Sequence, residues 1–143
     1  MGVVKNYRIA GTSHYIDNIM SLSIKNDDYK LSKKALVDEG LEGERIYQYE
    51  FYPVKTQLIP EPNNPIDPKA IKVITDNVHI GYIKSGSCSH VLKLLNENRI
   101  EKIECTISGG KYKYVRYDED DDSYVLEKSD IPFFAELRIT ESK

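Results

Sequence analysis

Residues 61–68 read Glu61-Pro62-Asn63-Asn64-Pro65-Ile66-Asp67-Pro68. Each proline fixes φ at about −65° and removes a backbone N–H, so no helix or central strand runs through this stretch. Asn and Asp between prolines favour local turns. A rigid loop is predicted, and the rest of the fold has to be built on either side of it.

Strand-like segments dominate those flanks. Residues 5–13 alternate loosely and end in Gly11-Thr12-Ser13, which predicts a first strand and turn. Ile16, Ile19 and Met20 recur at helical spacing, and Leu31 to Val37 predicts a short helix capped near Ser32, with residues 25–28 as loop. Residues 45–52 read as one strand that Pro53 ends, and residues 54–59 as a second extended piece.

After the loop, residues 70–74 and 78–84 read as a hairpin around Thr75-Asp76-Asn77. Ser85-Gly86-Ser87 offers capping chemistry for a helix whose apolar face is Cys88, Val91, Leu92 and Leu95. Residues 100–108 return to strand alternation. Gly109-Gly110 reads as a turn into a strand over 111–117, and residues 124–126 and 134–140 as last strands.

The expected fold is mainly β with minor α. It is a small, partly open OB-like or SH3-like β-barrel of about six to nine short strands and one to three helices. The absence of βαβ alternation disfavours a doubly wound sheet.

Composition sets the outer bounds. A chain of 143 residues is about one domain, expected here over residues 1–143. No apolar stretch approaches the roughly 20 residues of a membrane helix, so no membrane partner is expected. Residues 1–6 carry no apolar signal region. Cys88 and Cys105 are the only cysteines and are read as reduced thiols of a cytoplasmic protein. The net charge is −3, but Asp118-Glu119-Asp120-Asp121-Asp122 carries five negative charges, leaving +2 on the remainder. Bulk charge alone does not recruit a polyanion, whereas a local basic groove remains open.

Catalytic signatures are missing. No Walker loop, dinucleotide turn, HExxH helix or GxSxG elbow occurs. Cys88 and His90, two apart on a helix, point away from each other, which disfavours zinc. Asp118, Asp120 and Asp122 match EF-hand spacing, but Ser123 and Ser129 stand where Gly and Glu are needed. The run is read as an exposed loop tip. No cofactor, no metal and no catalytic residue is expected. Lys111, Tyr112, Lys113, Tyr114, Arg116 and Tyr117 interleave on one strand, which suits base stacking with phosphate neutralisation. An edge strand protected by lysines, with its tyrosines in the core, gives the same pattern.

The loop 61–68, the strand Ala70-Ile71-Lys72-Val73, the Ile80-Gly81-Tyr82-Ile83-Lys84 hairpin strand and the helix through Val91 to Leu95 together resemble the HIRAN domain. Ile9-Ala10-Gly11-Thr12-Ser13-His14-Tyr15 looks like the first strand and ligand-facing turn of that family. The resemblance covers about residues 7–108, leaving 109–143 as a C-terminal extension with the acidic loop. It implies a modified OB-like barrel that binds DNA. In characterised relatives the domain grips the 3′ end of single-stranded DNA, stacks terminal bases on aromatic rings and contacts the 3′-hydroxyl with an aspartate. Those relatives carry a motor ATPase beside it, for which this chain has no Walker motif.

Carried over by position, the resemblance assigns the hydroxyl contact to Asp67 and a ligand-adjacent amide to Asn64. It gives one stacking position to His14 or Tyr15, and a phosphate contact to Lys84. Ile66 stands where the family has its other stacking tyrosine. Ser85 replaces a second lysine. Tyr82 belongs to the same surface. Asp67 and Asn64 are equally explained as turn residues.

Three readings follow. The first is a non-catalytic binder of single-stranded DNA or another nucleic acid, with end capture as its mode. The second is a protein-interaction module on the same barrel, docking through the acidic loop 118–122. The third, less favoured, is a metal-dependent hydrolase using Asp67 with Glu61.

Overall fold

The computed structural model describes residues 2–142; Met1 and Lys143, the two ends of the expected 1–143 domain, lie outside the described residues. The chain divides into two compact units. One gathers residues 2–22, 51–107 and 133–142, the other residues 23–50 and 108–132. The region after residue 108 is therefore shared: it supplies part of the second unit and then returns to the first.

Among the described residues, nine strands and three α-helices form in the order β1 (Val3–Ala10), α1 (Ile16–Met20), β2 (Ser23–Lys25), α2 (Lys33–Asp38), β3 (Ile46–Tyr47), β4 (Tyr49–Phe51), β5 (Thr56–Pro60), β6 (Ile71–Thr75), β7 (Val78–Ile83), α3 (Cys88–Asn96), β8 (Ile100–Asp118) and β9 (Ser123–Glu141). Seven strands make one sheet in the order β3-β8-β9-β1-β7-β6-β5, and β2 pairs with β4 in a second. The protein is mainly β, as expected. The barrel is not closed: among the described residues no ladder joins β3 to β5.

In the first unit, β1 is the central strand. It pairs antiparallel with β9 from Val3↔Glu141 to Arg8↔Glu136, and with β7 at Ile9↔Ile83 and Ala10↔Tyr82. β6 and β7 form the expected hairpin. Thr75 pairs with Val78, and Asp76 and Asn77 between them have φ of 47° and 68°. Two consecutive positive φ values define the turn whose twist matches a hairpin, and Asp and Asn tolerate them best. The Asp76 carboxylate also accepts the backbone N–H of Lys55 at 2.8 Å and of Val54 at 3.1 Å, tying the start of β5 to this turn. Ile71, Val73, Ile80, Val91, Leu94, Leu137 and Ile139 are fully buried and form the core.

α3 buries Cys88, Val91 and Leu94, so its inner face is turned slightly from the expected Cys88, Val91, Leu92, Leu95 stripe; Leu92 and Leu95 are half-buried flanks. The expected serine cap is not made. Ser85–Ser87 forms a 3₁₀ turn running straight into α3, and Ser87 makes no side-chain capping bond. By contrast, Ser32 does cap α2, its Oγ accepting the N–H of Ala35 at 3.1 Å.

The second unit is built on Leu36, Ile46 and Val115, with Tyr29, Leu31, Tyr124 and Leu126 packed around them. Alternation along β8 splits the basic-aromatic stretch. Lys113 is buried; its Nζ donates to the Leu31 carbonyl at 2.6 Å and lies 5.2 Å from the Tyr29 ring centroid. Tyr112 is buried too, with the Arg45 guanidinium 4.6 Å from its ring centroid. The stretch is thus no continuous open platform.

Three further expectations are corrected. Gly109 and Gly110 do not turn the chain: they are buried inside β8, at φ of 123° and 82°. Residues 124–126 and 134–140 belong to one strand, β9, and the acidic run is the hairpin tip between β8 and β9. Residues 45–52 break at Gln48 into β3 and β4, which sit in different sheets. That break reverses the parity of burial, so Ile46 and Phe51 are both buried although they fall on opposite faces of one ideal strand.

Candidate nucleic-acid interface

The end of β1, the proline loop and the end of β7 meet in the first unit because β7 pairs with β1 on one side and β6 on the other. The close approach of β1 and β7 depends on Gly81. A Cβ there stands 2.6 Å from the Ala10 carbonyl oxygen and 2.7 Å from Ile9 Cγ2, and φ is 154°. Only glycine lets the two backbones come this near. The adjacent pair Ala10↔Tyr82 then sets Tyr82 beside the segment that follows β1.

That segment is a 3₁₀ turn, Thr12–His14, entered through Gly11 at φ 77°. It is pinned where Thr12 Oγ1 donates to the Phe133 carbonyl at 3.1 Å. Tyr15 follows and turns toward β7. Its ring centroid is 6.4 Å from that of Tyr82 and 4.1 Å from that of His79.

The proline loop is held from within. Asn64 Oδ1 accepts the N–H of Ile66 at 2.9 Å and of Asp67 at 3.1 Å, while its Nδ2 donates to Glu61 Oε1 at 3.1 Å. Asp67 Oδ1 accepts the N–H of Lys69 at 2.9 Å. The turn roles weighed for Asn64 and Asp67 are real. They use only part of each side chain, since a carboxylate offers about four acceptor positions.

Between these elements lies an open hollow of about 470 Å³. Tyr15, Asn64, Ile66, Asp67, Tyr82, Lys84 and Ser85 all line it, together with Ala10, Ala70 and the buried Cys88. Of the residues chosen from sequence, only His14 falls elsewhere. It is exposed and lines a neighbouring hollow of about 320 Å³ over residues 13–18, which shares Tyr15 with the first. Tyr15 borders both hollows, His14 only the smaller one.

The chemistry of the main hollow is mixed. Lys84 and Ser85 are exposed at one edge and the Asp67 carboxylate stands at another. Ile66 is 93% exposed, an apolar side chain presented at the rim by a rigid loop. Burial, then the Glu61 carboxylate and Tyr15, push the Tyr82 hydroxyl up to about 12, so it remains a hydrogen-bond donor at any ordinary pH. Asn64 and Tyr82, donating to Glu61, hold its carboxyl below the usual range and keep it ionised.

Sequence reading missed His79. Its Nε2 lies 2.9 Å from the Gly81 carbonyl, which only accepts, so Nε2 carries the proton. Burial holds its pKa below the usual 6.5. Its ring is 5.0 Å from that of Tyr82, edge to face. The only available signal was a histidine three residues before a candidate tyrosine on a hairpin strand.

Glu61 and Asp67, paired in the hydrolase reading, have separate engagements, Glu61 with Asn64 and Tyr82 and Asp67 with the Lys69 N–H. Among the described residues no three His, Cys, Asp or Glu side chains gather as a metal-binding set. No described helix is long and apolar enough to cross a membrane. Comparison with protein-family models, curated proteins and solved structures finds no match.

Proposed function

We propose that this chain is a HIRAN-like, non-catalytic binder of single-stranded nucleic acid, and that the hollow between Tyr15, Asp67 and Tyr82 captures a strand end. The observation that carries this reading is convergence. Residues nominated from separate stretches of sequence, around positions 15, 64–67 and 82–85, line one open hollow.

The parts suit the task. Tyr15 and Tyr82 offer rings for base stacking, worth about 1–3 kcal/mol per base. Lys84 supplies an exposed point charge for phosphate at the edge of the hollow. Asp67 retains acceptor capacity for a terminal hydroxyl, and its charge repels a terminal phosphate. The OB-like description belongs to this reading as well. Cys105 on β8 lies close to Thr75 on β6 and Thr56 on β5, as expected of a strongly curled, incompletely closed sheet.

Fluorescence anisotropy at low salt tests the proposal. Strands ending in 3′-hydroxyl should bind more tightly than the same strands ending in 3′-phosphate or offering only a 5′ end. Equal or undetectable binding of all three defeats it. The alternative, a protein-interaction module, draws support from Ile66 at the rim and from the exposed acidic tip 118–122. A pull-down lost on neutralising that tip, and indifferent to DNA, would favour it.

A further inference from the structure

Next to the main hollow is a second one, also of about 470 Å³, lined by Glu61, Pro62, Asn63, Asn64, Pro65 and Tyr82. The two hollows share Asn64 and Tyr82. Their chemistry differs. Lys84 and Ser85 border the first, whereas the second has no cation in its lining and one carboxylate, Glu61. The carboxylate disfavours a phosphate there, although the Lys72 charge reaches Glu61. A flat ring finds the Tyr82 ring and two exposed prolines as apolar walls.

The carboxylate is fixed rather than free to swing. Asn64 Nδ2 donates to Oε1 at 3.1 Å, and the Tyr82 hydroxyl stands beside this carboxylate in the lining. Most of its roughly four acceptor positions stay open. What remains is an ionised, pre-oriented acceptor facing a hollow of base size.

We propose that this hollow reads a base, and that Glu61 is the residue that sets its preference, by accepting hydrogen bonds from the Watson–Crick edge. The inference rests on the nucleic-acid reading above. Guanine presents two parallel donors, N1–H and the N2 amine, which match the two oxygens of a carboxylate. Cytosine and adenine each present one exocyclic amine beside a ring acceptor. Thymine presents one N–H flanked by two carbonyls that repel the carboxylate. The order is guanine, then cytosine and adenine, then thymine.

The probes are short oligo-dT strands carrying one dG, dC, dA or deoxyinosine at the first, second or third position from the 3′ end. Anisotropy gives their affinities for the wild-type protein and for Glu61→Gln. At one position dG should bind about fivefold or more tighter than dT. Inosine, which lacks the N2 amine, should lose most of that gain, a comparison that needs no variant. In Glu61→Gln the ratio of dG to dT should fall to near one, with a near-ultraviolet circular dichroism spectrum confirming the fold. Equal binding of all strands by the wild type overturns the base-reading hollow and leaves strand binding intact. A preference that survives in Glu61→Gln overturns the role of Glu61. No binding of any strand overturns the nucleic-acid reading itself, and this inference with it.

Discussion

The His79 ring lies 4.1 Å from the Tyr15 ring, centroid to centroid, and its Nε2–H donates to the Gly81 carbonyl at 2.9 Å. An imidazole on β7 thereby supports a tyrosine delivered by the turn after β1. Burial is the main reason its pKa is held down, with Lys72 adding to the effect and the Gly81 carbonyl and Glu61 opposing it.

This depression has a stability consequence. The unfolded chain takes up the His79 proton at about the ordinary 6.5, before the folded chain does. Stability is therefore full above pH 6.5, declines as pH falls below it, and levels off beneath the lowered folded value. Thermal melts across this range should show a shallower decline for His79→Phe, which keeps a ring and removes the titration. Identical pH slopes would contradict the assignment.

Ile66 stands 93% exposed on a loop braced by the Asn64 hydrogen bonds. Ile66→Tyr should restore a stacking platform at no cost to the fold. A gain of about 1–3 kcal/mol, roughly fivefold or more in affinity for single strands, is expected in anisotropy titrations. Unchanged or weaker binding would show that no base reaches this rim.

Asp67→Asn keeps an oxygen to accept the Lys69 N–H, so the turn should survive. It removes the charge facing the strand end. The preference for a 3′-hydroxyl over a 3′-phosphate should shrink toward unity, chiefly because the phosphate strand binds better. Retention of the full preference would move hydroxyl recognition away from Asp67.

Gly81→Ala tests how β1 and β7 set the site. The new methyl meets the Ala10 carbonyl, which is backbone and does not yield easily. A loss of about 1–3 kcal/mol in urea unfolding is expected, with a larger fall in strand affinity than Lys69→Ala causes. Wild-type stability would show that the strands part without cost.

Much of this was legible in local chemistry. The proline loop, the Asp76-Asn77 hairpin and the Ser32 cap follow from backbone rules that act within a few residues. The residues of the hollow were named by position from the HIRAN resemblance rather than from local rules, and seven of those eight line it. What failed depends on distant packing. Gly109-Gly110 has the signature of a turn, yet both glycines lie buried within a continuous strand. Lys113 looks like a surface residue in a polar stretch, and only the packing of Leu31 and Tyr29 against it accounts for its burial. His79 was invisible because its role is to touch Tyr15, a residue far away in sequence.

The most direct test of the central claim is chemical-shift mapping of the labelled protein titrated with a short 3′-hydroxyl oligonucleotide. The account predicts that the largest amide and ring shifts fall on Tyr15, Asn64, Asp67, Tyr82, Lys84 and Ser85. Shifts confined to the acidic tip 118–122 or the second unit, or none at saturating strand, would contradict it.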